Sequence, residues 1–257
     1  MRAQLPGEGS PAVPERPGGA YVAAPVALTA PMGRRAAGRR PMGTMVRMAS
    51  PLTVGFDLDM TLIDSRPGIA ATYDALSAET GVYIDSALAV SRLGPPMEQE
   101  LAEWFPAEQV PAMALRYREL YPVHAIEPTR ALPGAREAID AVHARGGRAI
   151  VVTAKYQPNA KLHMDHLGLT PDAVIGGLWA EGKAEALTEH GARVYVGDHT
   201  GDVRGARAAG AVSVTVASGP CSEDELRAAG ADVVLRDLTA FPAWFADYAA
   251  AAVGDGK

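Results

Sequence analysis

A doubly wound parallel α/β sheet carrying an inserted helical unit is the fold class this 257-residue sequence predicts, on three observations. Short, β-branched apolar runs recur between residues 52 and 240 and end in polar, Gly-containing loops. Patterns of helical period separate several of them. Residues 66–132 then break the alternation with 67 residues that lack a convincing strand, too many for a connecting loop. The near-continuous apolar character suits strands buried on both faces, since a half-solvated strand would alternate.

Composition supports a globular core: 48% of residues are apolar and 21% charged. No stretch reaches the roughly 18 apolar residues of a membrane span. The chain has 24 Lys and Arg against 30 Asp and Glu, a formal charge of −6, which argues against a surface built to hold nucleic-acid phosphates. The single cysteine, Cys221, rules out an intrachain disulfide and a Cys-based zinc site, and suits a reducing cytoplasm.

Residues 1–50 stand apart, with seven each of Pro, Gly and Arg and only Glu8 and Glu15 as acids. They cannot build a core and read as a disordered tail. The first strand candidate spans residues 53–58. Pro67 can then open a helix with Ile69, Tyr73 and Leu76 on one face and Gly81 as its stop. Asp85 is the N-cap of a second helix that runs to Gly94, Pro96 opens a third through Leu101 to Phe105, and Val110, Met113, Tyr117 and Leu120 mark a fourth. These four fill the insert, residues 66–132. The core, begun at 51–65, resumes over 133–245. A helix over 135–145 turns Ile139 and Val142 inward and has Gly146 as its C-cap. Strands follow at 148–153, 173–175, 193–196, 211–216 and 232–235, and residues 246–257 read as a C-terminal tail.

The first strand ends in Asp57 and Asp59, two carboxylates at spacing two, where open α/β sheets place their ligands. Alone, they would also suit a solvated turn. The strand at 193–196 runs into Gly197-Asp198-His199-Thr200-Gly201-Asp202, a second acidic cluster. Were those strands neighbours, Asp57, Asp59 and Asp198 would meet. Carboxylates 4 Å apart repel by about 4 kcal/mol per pair at an effective dielectric of 20, so the cluster calls for a cation, and oxygen-only ligands favour Mg²⁺. Thr153 ends the second strand, and Lys183 stands 15 residues before Asp198. They supply the hydroxyl and the positive charge that a transferring phosphoryl group needs.

In this order and spacing, Asp57 to Thr61, Thr153, Lys183 and Gly197 to Asp202 resemble the four motifs of the haloacid dehalogenase superfamily of phosphohydrolases. The resemblance covers residues 52 to about 240. The insert looks like the cap of the phosphoglycolate phosphatase and beta-phosphoglucomutase branch, and Leu132-Pro133-Gly134 resembles its return to the core. This implies a sheet of order 5-4-1-2-3, an aspartyl-phosphate on Asp57 and proton transfer by Asp59. It further implies Mg²⁺ held by the Asp57 carboxylate, the Asp59 backbone carbonyl and Asp198. Thr153 and Lys183 would bind phosphoryl oxygens, with Asp202 orienting Lys183 or a metal-bound water. Similar proteins that cleave carbon–halogen bonds lack an acid where Asp59 stands, so Asp59 points to a phosphatase or a phosphomutase.

The expected function is therefore Mg²⁺-dependent hydrolysis of a small phosphorylated metabolite, phosphoglycolate-like, in the cytoplasm, with neither nucleic acid nor membrane as partner. A phosphomutase is the alternative, ahead of a non-catalytic binding protein, and the sequence leaves oligomeric state open. Met60, Ala154 and His199 depart from the Gly, Asn and Ser or Thr common at their positions. Arg92, beside the Leu93-Gly94-Pro95-Pro96 turn, stands where it could grip a carboxylate or second phosphate on the substrate, with ordinary surface packing as the other reading. His163 and His166 read as a solvated helix face, and Trp104 and Trp179 as hydrophobic filling.

Overall fold

The computed structural model describes residues 51–254; the tail expected over residues 1–50 lies outside the described residues, as do the last three. β1 (Thr53–Phe56) leads through a tight turn to β2 (Ile63–Asp64). Helices α1 (Arg66–Thr80), α2 (Ser86–Ser91), α3 (Met97–Leu101) and α4 (Val110–His124) follow, and β3 (Arg130–Ala131) then pairs antiparallel with β2. The rest alternates: α5 (Ala135–His143), β4 (Arg148–Val152), α6 (Gln157–Leu167), β5 (Ala173–Ile175), α7 (Lys183–Glu189) and β6 (Ala192–Gly197). α8 (Thr200–Ala208), β7 (Val212–Val216), α9 (Glu223–Ala228), β8 (Val233–Leu235) and α10 (Phe241–Gly254) complete it.

Six strands form one parallel sheet in the order β5-β4-β1-β6-β7-β8. This is the order expected for five strands, extended by β8 on the far side of β7. β1 lies at the centre, with Phe56 opposite Val151 of β4 and Val196 of β6. Alternate side chains serve opposite faces. Phe56, Val151 and Val196 pack with Ile139 and Val142 of α5, while Ile150, Val152 and Tyr195 pack with Leu187 of α7 and Ala206 of α8. Because both faces are covered, these strands read as continuous apolar runs.

The strands expected over 53–58 and 148–153 end at Phe56 and Val152. Asp57 and Thr153 still extend the ladder, their N–H groups donating to the carbonyls of Val196 (2.8 Å) and Ile175 (3.0 Å). Their side chains thus stand at the carboxyl edge of the sheet.

In the insert, α1 stops at Gly81 and the Asp85 carboxylate caps α2 by accepting from the Leu88 N–H at 2.9 Å. α2 and α3 are shorter than expected, ending at Ser91 and Leu101. Gly94-Pro95-Pro96 cannot continue a helix, which sets the first of these limits. The four helices close on an apolar core of their own that includes Ile69, Leu76, Leu101, Phe105 and Tyr117. The ribbon of β2 and β3 joins insert to sheet, and the Leu132 N–H donates to the Leu62 carbonyl at 2.9 Å beside it.

The boundary expected at residues 245 and 246 falls inside α10, so residues 246–254 are helix rather than tail. Phe241 and Phe245, one turn apart, are both fully buried, and Phe241 meets Phe56 edge-on at 5.3 Å. Tyr248 packs against the same cluster. Burying each Phe contributes roughly 1.5–3 kcal/mol, which draws the helix onto the sheet. Among the described residues, no helix is long and apolar enough to cross a membrane.

Candidate active site

Three neighbouring strands, β4, β1 and β6, end side by side, and the chain leaves them through Thr153, Asp57 and Asp198. Past Asp57 it folds back at once, with the N–H groups of Thr61, Leu62 and Ile63 directed at the Leu58 carbonyl (3.3, 2.9 and 3.1 Å). Met60 sits in this turn at φ 60°, a left-handed conformation that costs a non-Gly residue about 1–2 kcal/mol. Its N–H donates to the Ile63 carbonyl at 2.8 Å and its carbonyl accepts from Ser218 Oγ at 2.6 Å. The turn swings Thr61 back so that its hydroxyl donates to Asp198 Oδ1 at 2.8 Å.

Close packing of the acids depends on two glycines. A Cβ on Gly197 would stand 2.3 Å from the Asp202 carboxyl, and one on Gly219 would stand 1.7 Å from Asp198 Oδ2. Lys183, the first residue of α7, is fully buried between these acids. Its ammonium has three N–H donors and three acceptors: Asp57 Oδ1 at 3.0 Å, Asp202 Oδ1 at 2.7 Å and the Tyr195 hydroxyl at 2.7 Å. Tyr195 in turn donates to the Val152 carbonyl at 2.7 Å. The other oxygen of Asp202 accepts from the His199 N–H at 3.1 Å, so both oxygens of Asp202 are engaged. The second oxygens of Asp57 and Asp198 take no hydrogen bond from the described residues.

Carboxylate oxygens of Asp57, Asp198 and Asp202 lie within 4.8 Å of one another. Burial, reinforced by the charges of Asp202 and Asp59 and opposed by Lys183, pushes Asp57 up to about 6. Burial and then the charges of Asp202 and Asp57 hold Asp198 well above the usual carboxylate range. For Lys183, burial works against the charged form, yet the charges of Asp202 and Asp57 outweigh it and the ammonium is held above its ordinary value. One buried cation thus faces three acids. An all-oxygen donor set with surplus negative charge fits a hard divalent cation such as Mg²⁺.

Asp59 turns away from this cluster. Its Oδ1 accepts from Ser65 Oγ at 2.5 Å and lies 3.0 Å from Lys155 Nζ. Lys155 also donates to the hydroxyl of Tyr121, on α4 of the insert, at 2.6 Å, and that hydroxyl lies 2.9 Å from His163 Nε2. His163 is therefore buried rather than solvated, because α6 turns this face toward α4, whereas His166 is exposed. Burial first, and then the Lys155 charge, hold the His163 imidazole down to about 3. The Thr153 hydroxyl is buried at the sheet edge and accepts the Lys155 N–H at 3.3 Å.

A cavity of about 320 Å³ separates the sheet edge from the insert, with Asp57, Asp59 and Lys155 on one side and Tyr73, Arg92 and Tyr117 on the other. Arg92 is among the residues that line it, and its Nε and Nη2 both donate to Glu100 (3.0 and 2.5 Å). Its charge is already engaged. Trp104 also donates its indole N–H to Glu100 at 3.0 Å, a polar role beyond packing, while Trp179 tilts against the His199 ring at 5.0 Å.

Sequence reasoning missed Lys155, Tyr121, Ser65 and Tyr195. For Tyr195 a signal existed, since a tyrosine inside a buried strand must find a partner for its hydroxyl. Lys155, two residues past Thr153, carried no mark separating it from a surface lysine.

The sequence pattern of haloacid dehalogenase-like hydrolases matches residues 54–216. A phosphoglycolate phosphatase of Caulobacter vibrioides is 27% identical over 219 residues, covering 74% of this chain and 89% of that protein. The tyrosine-protein kinase PtkA of Mycobacterium tuberculosis is 29% identical over 204 residues, covering 74% of this chain and 70% of that one. Among solved structures, a haloacid dehalogenase-like family hydrolase of Streptococcus pneumoniae superposes with a TM-score of 0.67 at 23% identity, over 76% of this chain and 98% of the other.

Proposed function

The chain belongs to the haloacid dehalogenase-like hydrolase family, and we propose that it is a Mg²⁺-dependent phosphatase that hydrolyses a small phosphomonoester through an aspartyl-phosphate on Asp57. The buried arrangement of Asp57, Lys183 and Asp202 beside Asp198, at the ends of adjacent strands, carries this reading. An Asp57 oxygen attacks phosphorus as the ester P–O bond breaks, and Asp59 gives its proton to the departing alcohol oxygen. Water then attacks the aspartyl-phosphate and loses a proton to Asp59. Inorganic phosphate leaves and the Asp57 carboxylate is restored. Thr153 and Lys183 hold phosphoryl oxygens throughout. Mg²⁺, held by Asp57, the Asp59 backbone carbonyl and Asp198, would supply positive charge over the phosphoryl group.

Phosphoglycolate is a first candidate substrate from the relatives' names, within the class of small soluble phosphorylated metabolites. Neither nucleic acid nor membrane belongs to that class, and the single cysteine suits work in the cytoplasm. The deciding experiment measures free phosphate from a panel of phosphorylated metabolites. Turnover without a bisphosphate activator, lost in excess chelator, restored by Mg²⁺ and abolished in Asp57→Asn, is the expected result. Full turnover in chelator would remove the metal from the mechanism, and an absolute need for a bisphosphate would indicate a phosphomutase instead.

A further inference from the structure

The contacts around Asp59 point to a role for the insert in the chemistry: we infer that Tyr121 is a positioning residue which, through Lys155, holds the Asp59 carboxylate in place only while the insert is docked. The inference rests on the proton-transfer role proposed for Asp59.

The hydrogen-bond chain has a single consistent direction. A lysine ammonium can only donate, so the Tyr121 oxygen accepts from Lys155 at 2.6 Å. Its one proton is then free for His163 Nε2 at 2.9 Å, which must be the unprotonated nitrogen of a neutral ring. His163 Nδ1 carries the other proton and has no hydrogen-bond partner among the described residues. The ring's evident service is to draw the Tyr121 proton away and turn a lone pair toward Lys155. At the other end, Lys155 reaches Asp59 Oδ1 at 3.0 Å. The Lys155 side chain is only 7% exposed, so water cannot readily take the place of Tyr121.

Tyr121 belongs to the insert, while Lys155, His163 and Asp59 belong to the core. Withdrawal of the insert would remove the hydroxyl and leave the ammonium without that anchor. Among the described residues, Asp59 would then keep the Ser65 hydroxyl as its side-chain hydrogen-bond donor. Proton delivery to the leaving oxygen is in this way tied to docking, while attack by Asp57 is not.

The test compares kcat/KM for an alkyl phosphate, whose leaving oxygen needs a proton, with p-nitrophenyl phosphate, whose leaving group does not. kcat/KM is the suitable quantity because it reports steps through departure of the alcohol. Tyr121→Phe should lower the alkyl value about tenfold or more and the nitrophenyl value by less than about threefold, a fraction of the 10²- to 10⁴-fold worth of a general acid. Lys155→Met should show the same selectivity, and adding Tyr121→Phe to it should cost little more. Phe245→Ala, which loosens the core away from the insert, provides the stability control, with thermal melting run on every variant. Equal losses on both substrates, additive losses in the double variant, or the same selectivity in Phe245→Ala would overturn the inference. Asp59→Asn separates the two levels. If it shows no leaving-group selectivity, the role of Asp59 itself is wrong; if it does and Tyr121→Phe does not, only the positioning role falls.

Discussion

Asp57 and Asp59 are two residues apart, yet each is matched to a different buried lysine, Lys183 for the first and Lys155 for the second. Removing the charge of Lys183 would leave Asp57 and Asp202 facing each other without it. Lys183→Met should therefore cost about 3–5 kcal/mol in urea unfolding, the scale of an uncompensated buried charge, as well as activity. His163 gives a pH signature. Its folded pKa is held down to about 3 against an ordinary 6.5, so below pH 6.5 the unfolded chain takes up a proton that the folded one refuses. That part of the stability is complete above pH 6.5 and falls with pH toward 3, by about 2 kcal/mol at pH 5. Between pH 7 and pH 5 the change in unfolding free energy should be less favourable in the wild type than in His163→Gln by about 2 kcal/mol, because the raised carboxyls of Asp57 and Asp198, which add stability as pH falls, titrate in both, and the glutamine amide oxygen can still accept from Tyr121. At Arg92 the carboxylate of Glu100 occupies the two donors that a substrate anion would use. Glu100→Gln should accordingly lower KM a few-fold for substrates with a second anionic group and leave nitrophenyl phosphate unchanged; equal shifts in both would place Arg92 away from the substrate.

Among the elements, α10 contributes more than its place at the chain's end suggests. Its Phe241 and Phe245 rings stack at 5.4 Å over the sheet, and Trp244 stacks on Tyr248 at 5.3 Å. Phe245→Ala should cost about 3–5 kcal/mol, and at roughly 2–4 °C per kcal/mol for a domain of this size the melting temperature should drop accordingly. Truncation after Asp247 should shift it in the same direction, through loss of Tyr248. A melting temperature unchanged by both would mean that α10 does not belong to the cooperative core. The turn from Leu58 to Ile63 illustrates the opposite case, an element whose conformation is strained at Met60 but held by bonds to Ile63 and Ser218.

For the whole molecule, the controlling feature is the cavity of about 320 Å³ between sheet edge and insert, near the lower end of the usual range for small-molecule sites. A phosphate ester that must fit there while the insert stays docked can carry only a small alcohol. Phosphorylated acids, sugars or nucleosides should be turned over with kcat/KM at least about 100-fold above that of a phosphopeptide of ten residues, since exclusion of water depends on closure. Comparable rates on the phosphopeptide would show that the insert does not enclose the substrate.

Local chemistry accounts for what the sequence determined by itself. The buried strands, the four helices of the insert with Asp85 and Gly81 at their ends, and the place of Asp57, Thr153 and Asp198 at strand ends all follow from patterns that short stretches of chain carry alone. Pairings across long stretches were decided by the tertiary structure. Lys183 finds Asp57 126 residues away, and Tyr121 finds His163 across 42. Whether a lysine, histidine or arginine is buried, and which carboxylate or hydroxyl meets it, depends on how α4 and α6 or α2 and α3 come to lie together. No residue's neighbours in sequence encode that, because burial and partner choice are properties of packed surfaces rather than of the local period.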